Sequence, residues 1–437
     1  MGAENLKVNE GIEQNKKWYQ RIKIFNIPIL WFLTLSIIAI GAMYAEVLPG
    51  GIIGSLLIMM ILGELFGWIG DNTPIVKTFL GGGAIVAIFG AAFLVYSGIM
   101  PGYTVTMIDE FMTSGEFLNF YIAALITGSI LGMNPQTLKV AGARFALPLL
   151  GAVIVSMLFA GIFGLIIGFG FRDAVLLIAM PIMGGGMGAG AVPMSQVYSE
   201  LLGNDPSYYI SILVPALALG NVFAIVFAGL LDMLGKKVPK LTGNGQLMEG
   251  FEVAGNKKIT YDIKLMGIGV IFALVFYVAG QILGLFIPIH PYAIMIILVA
   301  VLKIFELLPT FVEESANQWY QFVAKNWTLA LLIGIGVAYT DLETVLAALS
   351  LEYILLVLGV VLGAIVGAGL LGKLVGFKPI ESAITAGLCM ANMGGTGDVA
   401  VLSAAKRMEL MPFAQISSRL GGALVLLLAG LIIPLFF

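Results

Sequence analysis

Two glycine runs interrupt apolar stretches of the chain. The first is AMPIMGGGMGAGAVPMSQVYS, with Gly184, Gly185, Gly186, Gly188 and Gly190; the second is AGLCMANMGGTGDVAVLSAAKR, with Gly394, Gly395 and Gly397. Glycine lets a backbone turn sharply and lets a ligand approach the main chain. A break of this kind frees backbone groups: N–H groups at the start of a half-helix attract a carboxylate, and freed carbonyls suit a small hard cation. The competing reading is close helix packing through small residues. It explains one run more easily than two at matching positions. A dinucleotide loop is excluded, because no strand precedes either run.

Arg419 lies in PFAQISSRLGGALVLLLAG, inside the last apolar stretch. An arginine left at the centre of a bilayer costs about 2.5–3.5 kcal/mol or more, so it faces a partner or a cavity. It can instead snorkel to the interface, about 10 Å away at 1.5 Å per residue. The chemistry it offers is a two-pronged grip on a carboxylate. Around it stand oxygen-bearing side chains, Asn392, Thr396 and Asp398 before it and Ser417 and Ser418 beside it, a set that suits a hard cation. Asp398 is expensive to hold ionised in an apolar setting without a cation or an arginine; simple pairing with Arg419 or Lys406 is the alternative. Glu64 and Asp232 fall near the inner ends of their stretches and read as interfacial. The single histidine, His290, sits in a Pro-flanked loop, and the single cysteine, Cys389, excludes an intrachain disulfide framework.

The elements that must position these groups are membrane helices. Of 437 residues, 60% are hydrophobic and only 11% charged, and the mean hydropathy is +1.04. A soluble domain carries roughly 25% charge. The net charge of −3 gives no reason to invoke a nucleic acid. The polar N-terminal stretch has no apolar core or small-residue cleavage site, so a cleaved secretory signal is not expected. With roughly 20 apolar residues per crossing, about eleven spans are expected, near 24–47, 50–69, 79–99, 117–134, 142–170, 206–234, 264–287, 290–308, 327–345, 352–372 and 412–436. The stretches 174–200 and 379–399 hold the glycine runs and are ambiguous by length alone. Charge decides between the options, since Lys and Arg accumulate on the cytoplasmic side. With the N-terminus inside and both glycine stretches as re-entrant hairpins, only Arg172 of the 22 basic residues falls outside and only Arg419 falls within a span. A full crossing at 174–200 would move the basic segment 236–264 outside. The hairpins then enter from opposite faces, in two five-span units of inverted orientation. The expected organisation is therefore all-α and polytopic. A cytoplasmic segment at 1–23 and a first helix at 24–49 precede a first repeat at 50–235, a cytoplasmic linker at 236–263 and a second repeat at 264–437. Paired helix breaks in inverted repeats are a device of secondary transporters.

At IGDNTPIVKTFLGGG, MPIMGGGMGAGAVPMSQVYSE, CMANMGGTGDVAVLSAAKRMEL and AQISSRLGG the sequence resembles the 2-hydroxycarboxylate transporter family of bacterial citrate, malate and lactate carriers. The matching stretches fall in both halves. The resemblance implies a multi-pass protein of the bacterial cytoplasmic membrane, with its C-terminus external. It also implies a homodimer of fixed scaffolds and mobile transport domains, moving in the manner of an elevator. It places the substrate arginine on Arg419 and ligands for Na⁺ on the Cys389 carbonyl, Asn392, Thr396, Asp398 and Ser418. Backbone N–H groups of Gly186, Gly188 and Gly395 are expected to complete the anion site. Two positions depart from the citrate carriers: Met187 stands where they have an asparagine, and Met393 where they have a second arginine. Losing an amide and an arginine weakens the hold on a tricarboxylate, so the expected cargo is a smaller 2-hydroxy acid, malate first, moved by Na⁺ symport. Malate/lactate or citrate exchange and proton-coupled uptake remain open. A second alternative is the membrane subunit of a sodium-pumping decarboxylase, and a channel is a weaker one.

Overall fold

The computed structural model describes residues 22–77, 82–132, 135–248, 261–287, 291–394 and 396–436. Most of the expected N-terminal segment, residues 249–260 of the linker between the halves, His290 and Gly395 lie outside the described residues.

The chain enters through a two-residue ribbon, Lys23–Ile24 (β1) against Ile27–Pro28 (β2), with Ile24 opposite Ile27. Phe25 and Asn26 between them both take positive φ, the backbone of a two-residue hairpin turn. The first expected span therefore begins with a turn before helix α1, Ile29–Tyr44. Then come α2 (Ile52–Asn72), α3 (Gly83–Tyr96), α4 (Gly102–Met112), α5 (Phe117–Leu131) and α6 (Pro135–Ile167). A broken segment follows, α7 over 171–182 and α8 over 187–202, leading into α9, Pro206–Lys237. The second half runs α10 (Ile263–Gly284), α11 (Pro291–Ile304), α12 (Thr310–Asn326), α13 (Thr328–Ala338), α14 (Leu342–Ala348) and α15 (Leu351–Leu374). A second broken segment, α16 over 379–388 and α17 (Thr396–Ala404), precedes the last helix, α18, over 411–436. Apart from the leading α1 and the short α14, both halves use one order: two helices, a bent pair, a long helix, a broken segment and a closing helix.

Six helices among the described residues are long and apolar enough to cross a bilayer, and the bent pairs α4–α5 (43°) and α12–α13 (60°) bring the total to as many as eight. The other expected crossings fall on the shorter apolar helices α1, α3 and α11. α12 is the element the hydropathy pattern does not mark. Glu313, Glu314, Asn317 and Gln318 give it a polar face, so its apolar content is too low to read as a crossing. The expected span 327–345 proves to be its short partner, α13, which ends at Ala338.

The helices pack in two groups, each drawing on both halves of the chain. α2, α3, α4, α5, α10, α11, α12 and α13 form one; α6, α9, α15, the broken segments and α18 form the other. The seam between α6 and α15 is lined with small residues: a Cβ on Gly367 would lie 2.1 Å from the Gly151 carbonyl oxygen. Close backbone approach is how helices gain contact where no water drives them together. Ile154, Leu158, Ile162 and Leu165 form an exposed stripe on α6, and Ile271, Val275, Val278 and Ile282 another on α10. This spacing puts each set on one helix face. Water would penalise such stripes, whereas acyl chains solvate them. The chain is an all-α, multi-pass membrane protein.

Candidate functional site

Both broken segments fold back on themselves. In the first, the Tyr198 hydroxyl on α8 donates to the Leu176 carbonyl on α7 at 2.6 Å. In the second, the Arg407 Nε beyond α17 donates to Glu381 Oε1 at the base of α16, at 3.0 Å. The two tips meet. Gly185 and Gly186 have φ of 77° and 115°, a region that β-carbon-bearing residues avoid. A Cβ on Gly186 would lie 2.6 Å from the Met393 carbonyl oxygen, and one on Gly185 would lie 2.0 Å from the Ser418 carbonyl oxygen. The glycines thus do two jobs at once. They let three backbones cross at one point, as the packing reading requires, and they leave main chain bordering a cavity.

That cavity, about 440 Å³, lies between the two helix groups. Gly185, Gly186, Met187, Met393, Gly394, Asp398, Gln415, Ser418 and Arg419 border it on the hairpin side; α2, α3, α5, α11, α12 and α13 border it on the other. Its volume is that of an ordinary small-molecule site. Asp71 and Lys325, both exposed, lie among its lining residues.

Arg419 sits in a π-helical turn of α18, Ser417–Gly421. Such turns shift the side-chain register locally and recur at functional sites. The guanidinium neither snorkels to an end of the helix nor pairs with Asp398. Its Nη1 donates to the Ser129 carbonyl on α5 at 3.4 Å, and its Cζ lies 5.3 Å from the centre of the Tyr320 ring on α12. Asp398 is held by neutral donors: the Ser418 hydroxyl at 2.7 Å and the Asn392 amide at 3.0 Å. The Ser418 hydroxyl oxygen also lies 3.2 Å from the Cys389 carbonyl. Asn392 Oδ1 is occupied by the Gly394 N–H at 2.6 Å, which fixes its amide so that the nitrogen faces Asp398. All four residues are buried. The arrangement places the Ser418 hydroxyl within hydrogen-bonding distance of both a carboxylate and a carbonyl oxygen.

A family model described as the 2-hydroxycarboxylate transporter family matches residues 24–431. The chain belongs to that family. It is a transporter and not an enzyme, which sets aside the decarboxylase-subunit alternative. Curated relatives match over nearly their whole length. The Na⁺-malate symporter of Bacillus subtilis is 39% identical over 432 residues, 97% of this chain and 96% of its own. The citrate transporter CitP of Leuconostoc mesenteroides is 38% identical over 417 residues, 94% of each chain. The citrate/sodium symporter of Salmonella typhimurium is 38% identical over 422 residues, 94% of this chain and 95% of its own.

Of the ligands that the family resemblance implies for Na⁺, Cys389, Asn392, Asp398 and Ser418 converge. Thr396 opens α17, with its side chain outside the described atoms. Of the expected substrate groups, Arg419, Gly186, Met187 and Met393 border the cavity. Gly188 lies in the first turn of α8. Several residues at the site carry little or no signal in the sequence. Asn221 in α9 accepts from the Met393 N–H at 3.3 Å and so props the second tip; an asparagine in mid-span was the available signal. Tyr320, Ser129 and Gln415 also border the cavity, and nothing in their local sequence marks them.

Asp232 lies near the end of α9, as expected, 2.7 Å from the exposed Lys236, but its own side chain is covered by protein. It is buried 2.8 Å from Arg407 Nη1, and Glu381 completes the cluster. The segment after α9 supplies donors to Glu381 from the Thr242 hydroxyl and the Gly243 N–H, at 2.7 and 2.8 Å.

Proposed function

We propose that this chain is a Na⁺-coupled symporter for a 2-hydroxy dicarboxylate, malate first, in a bacterial cytoplasmic membrane. The observation that carries the reading is the meeting of the two hairpin tips at one cavity that also holds Arg419. One carboxylate of the substrate docks on the guanidinium, and the backbone at Gly186, which borders the cavity, offers a further donor. Na⁺ is carried among Asp398, Ser418, the Cys389 carbonyl, Asn392 and Thr396, where oxygen ligands and one formal negative charge suit a hard monovalent ion. The names of the Bacillus and Salmonella relatives support Na⁺ as the coupling ion. Met187 and Met393, both bordering the cavity, give it apolar walls where a third carboxylate would need a partner, and so favour a dicarboxylate.

Transport proceeds by the hairpin-bearing helix group moving as a body against the other, within a homodimer. The division of the helices into two groups with the cavity between them supports that movement. Lys325 and Asp71 are exposed residues of the cavity lining, and the charge bias of the loops supports a cytoplasmic position for that end. Labelled malate uptake into proteoliposomes is expected to rise with an inward Na⁺ gradient and to collapse in Arg419→Ala, with membrane insertion intact. Uptake untouched by Arg419→Ala removes the site assignment, and uptake indifferent to Na⁺ removes the coupling. Uptake driven only by internal lactate or citrate identifies an exchanger.

A further inference from the structure

Arg419 is carried by the hairpin group, yet both groups that touch its guanidinium belong to the other one. They are brought together by an unusually close helix crossing. On α5, a Cβ at Gly128 would lie 2.2 Å from Tyr320 Cβ and 2.3 Å from the Ala316 carbonyl oxygen, and one at Gly132 would lie 2.3 Å from Asn317 Oδ1. Gly128 and Gly132 are one turn apart on one face, so α12 lies directly against α5 along that face. The next residue after Gly128 is Ser129, whose carbonyl accepts from Arg419, and Tyr320 on the facing helix places its ring 5.3 Å from the guanidinium carbon. The platform is thus one ring and one carbonyl, side by side, on a seam that only glycine permits.

We propose that Tyr320, seated by Gly128, is a positioning residue for the substrate arginine: it holds the guanidinium by its face and leaves N–H donors directed at the cavity. The proposal rests on the reading of Arg419 as the carboxylate-binding group. A guanidinium is a planar fork with five N–H donors. The guanidinium carbon lies over the ring, where the π face attracts it without a hydrogen-bond acceptor of its own, and the Ser129 carbonyl takes one N–H. A carboxylate can then dock edge-on to the remainder. Without the ring, the long arginine stem is free to sample rotamers, and each binding event must first select the right one, a cost that preorganisation removes.

The test is equilibrium binding of labelled malate to the purified, full-length carrier at saturating Na⁺, with melting temperature measured on the same samples. A cation–π contact of ordinary strength corresponds to roughly a three- to tenfold rise in Kd when it is lost. Tyr320→Leu, which keeps apolar bulk without a π face, is expected to show that rise with an unchanged melting temperature. Tyr320→Phe keeps the ring and is expected to bind within about twofold of the parent. Should Tyr320→Leu fail to reach the membrane, Tyr320→Met carries the same expectation. A Kd unchanged by loss of the ring overturns the proposal, as does a Tyr320→Phe variant as weak as the aliphatic ones, which would assign the effect to the hydroxyl. Arg419→Ala in the same assay separates the two readings. If it binds malate like the parent, the site assignment fails. If it loses binding while Tyr320→Leu does not, only the platform fails.

Discussion

Asp398 sits in a buried setting with two neutral donors, the Ser418 hydroxyl and the Asn392 amide. Two hydrogen bonds offset part of the cost of burying a carboxylate, but among the described residues they leave it without a salt-bridge partner, Arg419 acting only at longer range, and that imbalance is what a cation relieves. Substitution by asparagine keeps shape and most hydrogen bonding while removing the charge. Asp398→Asn is therefore expected to raise the Na⁺ concentration for half-maximal malate uptake by roughly tenfold or more; a Na⁺ dependence like that of the parent would place the ion elsewhere. At this scale much of the site was legible. Arg419 and Asp398 stand out because charge inside an apolar stretch is costly enough to demand a reason. Tyr320 and Ser129 were not legible, because tyrosine and serine are unremarkable in such a stretch. Ser129 acts only through its carbonyl, and which carbonyl faces an arginine is decided by tertiary packing.

Hairpin elements need anchoring at their open ends as well as room at their tips. Glycine provides the room, and its runs announce it. The anchor was hidden: Arg407 reads as one of several basic residues after an apolar stretch, yet it is buried between Glu381 and Asp232, with Thr242 also accepting from its Nη2 at 3.1 Å. It closes the second hairpin at its base and ties it to α9 and to the segment leading out of the first half. The partners lie 26 and 175 residues away, so no local pattern reveals them. Removing the arginine strands two carboxylates in a dry setting, which costs about 3–5 kcal/mol where a buried pair is broken from one side. Arg407→Leu should accordingly lower the melting temperature of the solubilised carrier sharply. Arg407→Leu combined with Glu381→Leu should recover part of the loss, because the second change removes one stranded charge. A single variant as stable as the parent would mean that Lys236, 2.7 Å from Asp232, is counter-ion enough.

Across the whole molecule, the two halves repeat one order of elements, and that order was partly readable. The long apolar helices and the glycine breaks were in view, whereas α12 was not, because its polar face hides a helix that helps wall the cavity. What the order leaves open is the sense in which each half crosses the membrane. On the proposed topology an odd number of crossings per half inverts one against the other, so that the hairpins enter from opposite faces and their tips meet in the middle instead of lying side by side. The basic residues support that arrangement by their bias. The prediction is direct. Arg172, at the open end of the first hairpin, and Lys406, at the open end of the second, are both exposed, and the one native thiol, Cys389, is buried, so background labelling is low. In intact cells a membrane-impermeant maleimide should label Arg172→Cys, and it should reach Lys406→Cys only after permeabilisation. If both thiols react from the same side, the halves are not inverted, and a movement that exchanges the two faces loses its structural basis.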